Sequence, residues 1–179
     1  MDDIAKHLGM SKKTIYLHYK DKDELVYLLI KNRMETQVCN MEEGSSKAAN
    51  ALDEVFIAVT QMQSMLSNMN PMLFHDMQKY HPNAWIVFKT FKESNLNKVI
   101  RQNLERGIEE GFYRKELNLD IITRMRIEQI DMAFTYSSAT INKYNVLQVM
   151  NELTEHYLYG LCTLKGHILI NKYKHINEE

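Results

Sequence analysis

The chain has 179 residues, 45% of them apolar and 25% charged, a balance that suits a folded globular protein with a sizeable core. A formal net charge of −1 excludes a global basic field, so any attraction to nucleic acid has to be local. The N-terminus is polar where a secretory signal would be apolar, no stretch is long and apolar enough to span a membrane, and Cys39 and Cys162 are spaced for neither a metal nor a redox pair. These features predict a reducing, cytoplasmic setting and no membrane partner.

The first elements are two short helices around a tight turn. Ile4 and Leu8 share a helical face, and Gly9 can take the left-handed backbone that ends a helix. Ser11 is an N-cap for the next helix, in which Ile15 and Tyr19 again share a face. Closing the two apolar faces leaves Lys12, Lys13 and Tyr16 outward, an arrangement that suits a groove of DNA. Asp21 with Glu24 three residues on has capping-box spacing, so a fresh helix begins with Lys22 in its first turn. Met10 to Lys22 holds four lysines against one aspartate, a local basic excess in a nearly neutral chain.

Beyond this point the pattern is all-α. Two prolines and six glycines leave little punctuation for a sheet, and apolar residues recur at spacings of three and four. A helix from Asp21 to about Glu43 buries Leu25, Leu28 or Leu29, and Val38, and Gly44-Ser45-Ser46 then separates a head, residues 1–43, from a body, residues 44–179. A second long helix spans about Ser46 to Ser67. Asn70-Pro71 and His81-Pro82 each open a helix, the latter running to Glu110 with a bend near Ser94 before Gly111 ends it. Asn118 or Asp120 caps a helix through Ile121, Met125, Ile130 and Phe134, and a loop at Ser137 to Asn145 leads to a last helix over about Val146 to Lys172. Along that last helix Val146, Met150, Leu153, Tyr157, Leu161, Leu164 and Ile168 draw one stripe, and Leu147, Leu158 and Leu169 a neighbouring one. One stripe can pack inward while the other meets a partner, with Gly160 permitting close approach; the alternative is that both are core.

Between Met62 and Trp85 the body is rich in soft and aromatic groups: Met62, Met65, Met69, Phe74, Met77, Tyr80 and Trp85, with Met132 and Tyr136 able to face the same space. Such side chains line adaptable apolar pockets, although they also build plain core. His75 and His81 are poorly spaced for one metal, and no metal site is expected. The chain lacks a Gly-rich phosphate loop, a Gly-x-Ser-x-Gly elbow, a His-Glu-x-x-His and a pair of Glu-x-x-His motifs, so neither an enzyme nor a cofactor is expected.

The run Ile4-Ala5-Lys6-His7-Leu8-Gly9-Met10-Ser11-Lys12-Lys13-Thr14-Ile15-Tyr16-Leu17-His18-Tyr19-Lys20-Asp21-Lys22-Asp23-Glu24-Leu25 resembles the helix-turn-helix signature of the tetracycline-repressor (TetR) family of bacterial transcription regulators. The resemblance implies an N-terminal DNA-binding head, a larger helical ligand-binding and dimerisation body, and a repressor released from a palindromic operator by a small-molecule effector. Activation occurs in a minority of such proteins. Carried over residue by residue, the DNA-contact set is Lys12, Lys13, Thr14, Tyr16, His18 and Lys22. Homodimerisation through the last two long helices is implied as well, which puts Met150, Leu153, Tyr157, Gly160, Leu161, Leu164 and Ile168 at the interface. In one respect the chain departs from the pattern: it begins where the family's leading helix should already have ended. A late start codon, residues outside the sequence or a true truncation would each give this, and the last would favour a helical ligand- or protein-binding scaffold with a silent head.

Overall fold

The computed structural model describes residues 1–66, 73–138 and 144–174, with the backbone alone for 66 and 135–138. Among the described residues there is no strand, and no helix is long and apolar enough to cross a membrane. The chain is all-α, as its periodicity predicts. In the head, α1 (Asp2–His7) ends at Gly9, whose φ of 64° is the left-handed conformation expected there. The Ser11 side chain accepts from the Thr14 amide at 3.1 Å and starts α2 (Lys12–Tyr16). The buried pair that joins these helices is Ala5 and Ile15. Leu8, expected in that core, is exposed, and Ile4 and Tyr19 are half-buried.

Helix α3 (Lys22–Lys47) starts as predicted: Asp21 Oδ1 accepts from the Glu24 amide at 2.8 Å, and Glu24 reaches back to the Lys20 amide at 2.5 Å. It does not break at Gly44-Ser45-Ser46, so the expected head–body boundary falls inside a continuous helix. Gly44 serves close packing instead: a Cβ there would stand 3.2 Å from the side chains of Ile57 and Gln61 on α4 (Ala51–Leu66). The turn comes at residues 48–50 and is held from a distance. Arg106 donates to Ala48 O at 3.0 Å and, through Nε, to Glu110 at 2.7 Å, while Glu110 accepts from the Ala51 amide at 2.7 Å.

The body continues with α5 (Leu73–Tyr80) and α6 (Pro82–Phe91), a π turn over Lys92–Leu96, and α7 (Asn97–Glu109). That turn is the bend expected near Ser94. Asn118, rather than Asp120, caps α8 (Leu119–Ser138) by accepting from the Ile121 amide at 3.2 Å. Pro71 lies outside the described residues.

The expected last helix is two: α9 (Val146–Leu161) and α10 (Leu164–Tyr173). The break at Cys162 and Thr163 carries no Gly or Pro; a distant segment takes over the backbone groups. Arg114 N donates to Leu161 O and Thr163 N to Phe112 O, both at 2.9 Å, and Thr163 caps α10 through the Gly166 amide. The main core lies beside this junction, where Ala51, Leu52, Leu104, Tyr113, Leu158, Leu161 and Ile170 are almost fully buried. Met150 and Tyr157 are also buried within the chain, so with Leu161 they are core residues rather than interface residues. Breaking the helix rotates the stripe: Leu164 and Ile168 point outward, 82% and 62% exposed, while Leu153 is half-buried against a core cluster.

Candidate DNA-contact surface and ligand cavities

Lys12, Lys13, Thr14, Tyr16, His18 and Lys22 are all exposed in the head. The two lysines of α2 and Tyr16 fall within one helical turn, and Lys22 is the first residue of α3, where free amides and the helix dipole favour an anion. Two of the six have local partners. Lys12 Nζ lies 2.5 Å from Asp2 Oδ1, and that hydrogen bond holds the ammonium above its ordinary value and the carboxylate below. Thr14 Oγ1 shares a hydrogen bond of 2.8 Å with Ser11 Oγ. Both contacts are exposed to solvent and can exchange for a phosphate.

In the body, a cavity of about 370 Å³ is enclosed by α3, α4, α5, α6 and α8. Its wall takes Leu29, Ile30 and Met34 from α3, Met62 and Met65 from α4, Phe74 and Met77 from α5, and Phe134 from α8. Phe74 knits the helices together: its ring centroid is 4.9 Å from that of Phe88 and 4.4 Å from that of Phe134. Lys92 on the same wall is held by both carboxylate oxygens of Asp131, at 2.7 and 2.5 Å.

A smaller cavity of about 110 Å³ adjoins it, and Met41, Ala58, Gln61, Met62, Leu96 and Ile130 line both. Its remaining wall includes Asn103 of α7, Arg126 of α8, and Met150 and Tyr157 of α9. A polar groove lined by Arg33, Thr36, Gln37, Asn40 and Ser64 shares Gln61 and Met65 with the larger cavity.

Four of the expected lining residues, Met62, Met65, Phe74 and Met77, are on these walls. Tyr80 and Met132 are exposed and line neither cavity, and Trp85 packs on Phe88 instead, with ring centroids 5.6 Å apart. The rest of the expectation, Met69 and the side chain of Tyr136, lies outside the described residues. Sequence reasoning missed the wall contributed by α3 and the buried Arg126. The α3 residues carry a weak signal, since Leu29, Ile30, Met34 and Met41 are more apolar than a solvated connecting helix needs. For Arg126 there is none, as an arginine in a helix is ordinarily on the surface.

Comparison with known proteins agrees with both halves of this geometry. Residues 1–27 match the model of "Bacterial regulatory proteins, tetR family". The HTH-type transcriptional regulator YvaF of Bacillus subtilis is 22% identical over 162 residues, covering 90% of this chain and 84% of that protein. The fatty acid metabolism regulator protein of the same organism is 23% identical over 171 residues, covering 88% and 82%. Among solved structures, the B. subtilis transcriptional regulator FadR in complex with stearoyl-CoA superposes with a TM-score of 0.66 at 21% identity, covering 89% of this chain and 87% of that one. The ketosteroid transcriptional regulator KstR2 of Mycobacterium tuberculosis gives 0.62 at 18%, with 90% and 83% covered. With the family's helix-turn-helix at its N-terminus and an all-helical body of the same fold behind it, the chain belongs to the tetR family of bacterial regulatory proteins.

Proposed function

We propose that the chain is a ligand-responsive transcriptional repressor that binds a palindromic operator as a homodimer and leaves it when an apolar small molecule fills the joined cavities. One observation carries this reading: α3 begins with Lys22 on the exposed basic face and runs without a break past Leu29, Ile30, Met34 and Met41 on the cavity walls. A ligand that parts α3 from α4 or α5 therefore tilts the helix that holds the recognition helix. Only a ligand that prefers the tilted arrangement shifts the equilibrium. The lining of methionine, leucine and phenylalanine suits a long hydrocarbon chain. That FadR of B. subtilis was solved with stearoyl-CoA supports the same class of effector.

Dimerisation follows from the task, since one short recognition helix reads too few bases and two related by a twofold axis read two half-sites. The outward apolar residues available for it are Ile121, Met125 and Met132 on α8 and Leu164 and Ile168 on α10. The test is selection of bound DNA from a random pool with the full-length chain, followed by gel shifts with stearoyl-CoA and free fatty acids. A palindromic consensus released by one of these is expected. Indifference to DNA sequence at moderate ionic strength would overturn the repressor and favour a ligand-binding scaffold with a silent head.

A further inference from the structure

Arg126 stands on α8 with 7% of its surface exposed, on the wall of the smaller cavity. Its Nη2 donates to Thr154 Oγ1 at 2.7 Å, and the guanidinium lies 4.8 Å from the centre of the Tyr157 ring. Nη1 is buried and has no hydrogen-bond partner. Burial pushes the guanidinium below its ordinary value, and the groups that act on it electrostatically are Tyr157 and Tyr113 rather than a carboxylate. A buried cation with a free donor is costly, and such donors ordinarily find a partner.

The other charges on the joined walls are accounted for. Glu54, on the wall of the smaller cavity, is bound by Arg106 Nη1 at 3.3 Å. Lys92 is neutralised by Asp131, and Arg33 is exposed at the polar groove. Arg126 is thus the cation on these walls that is both shielded from water and without a carboxylate among the described residues.

We propose that Arg126 receives the carboxylate of the effector, which is therefore a free carboxylic acid: the anion accepts from Nη1 in the smaller cavity, and the apolar tail follows the shared wall past Met62 and Leu96 into the larger one. The proposal rests on the reading of these cavities as an effector site and adds the ligand's head group and its direction. A carboxylate on a buried guanidinium gains a charge-assisted hydrogen bond, whereas an alcohol or the thioester of the same acid offers no charge at that position.

The test is calorimetric titration of the full-length chain with decanoate, decanol and decanoyl-CoA, each below its aggregation concentration. Decanoate is expected to bind about tenfold or more tightly than decanol, the worth of one hydrogen bond to a charged group. R126M should bind the two alike, and R126K should keep part of the preference. Because the comparison of ligands is made first on the unsubstituted chain, misfolding of R126M does not remove the test. Equal affinity for decanoate and decanol, or tighter binding of decanoyl-CoA than decanoate, overturns the carboxylate assignment and leaves the apolar effector site standing. If none of the three binds, the carboxylate assignment and the apolar effector reading fall together.

Discussion

Nδ1 of His81 lies 2.5 Å from Oδ1 of Asp23, joining the residue that caps α6 to the second residue of α3. Asp23 adjoins Lys22 on the exposed face of the head, and His81 directly follows α5, whose Phe74 and Met77 line the larger cavity. Displacement of α5 by a ligand therefore has a second route to the head besides the length of α3. Replacing His81 by alanine is expected to leave operator affinity of the ligand-free protein nearly unchanged while raising the effector concentration for half-release about fivefold, the low end of typical coupling between sites. Gel shifts over an effector series measure it. Superimposable release curves would mean that α3 alone carries the signal.

On the head, Tyr16→Ala should weaken operator binding without loss of helix content by circular dichroism, because Tyr16 is half exposed and outside the Ala5–Ile15 core. Lys22→Ala should weaken binding to all sequences alike and flatten the dependence of log K on log salt by about 0.9, one phosphate contact per half-site. Asp2→Asn releases Lys12 from its ion pair and should act in the opposite direction, strengthening binding at low salt.

What the sequence made legible is local in origin. Ser11, Asp21 and Asn118 cap their helices, Gly9 takes positive φ, and the bend near Ser94 is real. The errors have long-range causes. Gly44 looks like a breaker, but in place it is the close contact of α3 with α4, and the turn sits where Arg106, some sixty residues away in sequence, holds the carbonyls. The split at Cys162 depends on Phe112 and Arg114, which no window around residue 162 contains. For the cavity the same limit applies: periodicity marks Met62, Phe74 and Met77 as apolar, and only packing shows that α3 faces them and that Arg126 is buried among them.

The Tyr113 ring lies flat over Gly107, where an added Cβ would stand 2.1 Å from its Cδ2 atom. Gly107→Ala should therefore overpack the main core and destabilise the protein by about 1–3 kcal/mol, with Tyr113 displaced. Tyr113→Phe keeps the ring but removes the donor to Asn103 Oδ1 at 3.1 Å, leaving that oxygen short of a partner, at a cost of about 1–3 kcal/mol. Urea unfolding at one fixed protein concentration measures both, since association adds to apparent stability.

Alkaline pH should destabilise the fold before neutral pH does. Burial pushes the Cys162 thiol up from 9.0 to about 12, and it raises the Tyr113 and Tyr157 hydroxyls above their ordinary value as well. Below pH 9 the folded and unfolded chains hold these protons equally. Between about pH 9 and 12 the unfolded chain releases the Cys162 proton while the folded one keeps it, so stability falls as pH rises. Urea midpoints at rising pH should decline from about pH 9, and Cys162→Ala should lessen the decline. A thiol reagent at neutral pH should modify exposed Cys39 and spare Cys162.

The corrected interface separates association from folding. Leu164 and Ile168 are exposed on α10, and Ile121 and Met125 on α8, whereas Met150 is 3% exposed inside the chain's own core. Ile168→Glu should therefore convert a dimer to a monomer in sedimentation velocity, lose operator binding because a monomer reads one half-site, and leave helix content intact. Met150→Ala should do the reverse, lowering unfolding free energy by about 2–5 kcal/mol while the species in solution keeps its size. If Ile168→Glu still sediments as a dimer, the outward faces of α8 and α10 are not where two copies meet, and the operator would have to be held by some other pairing of heads.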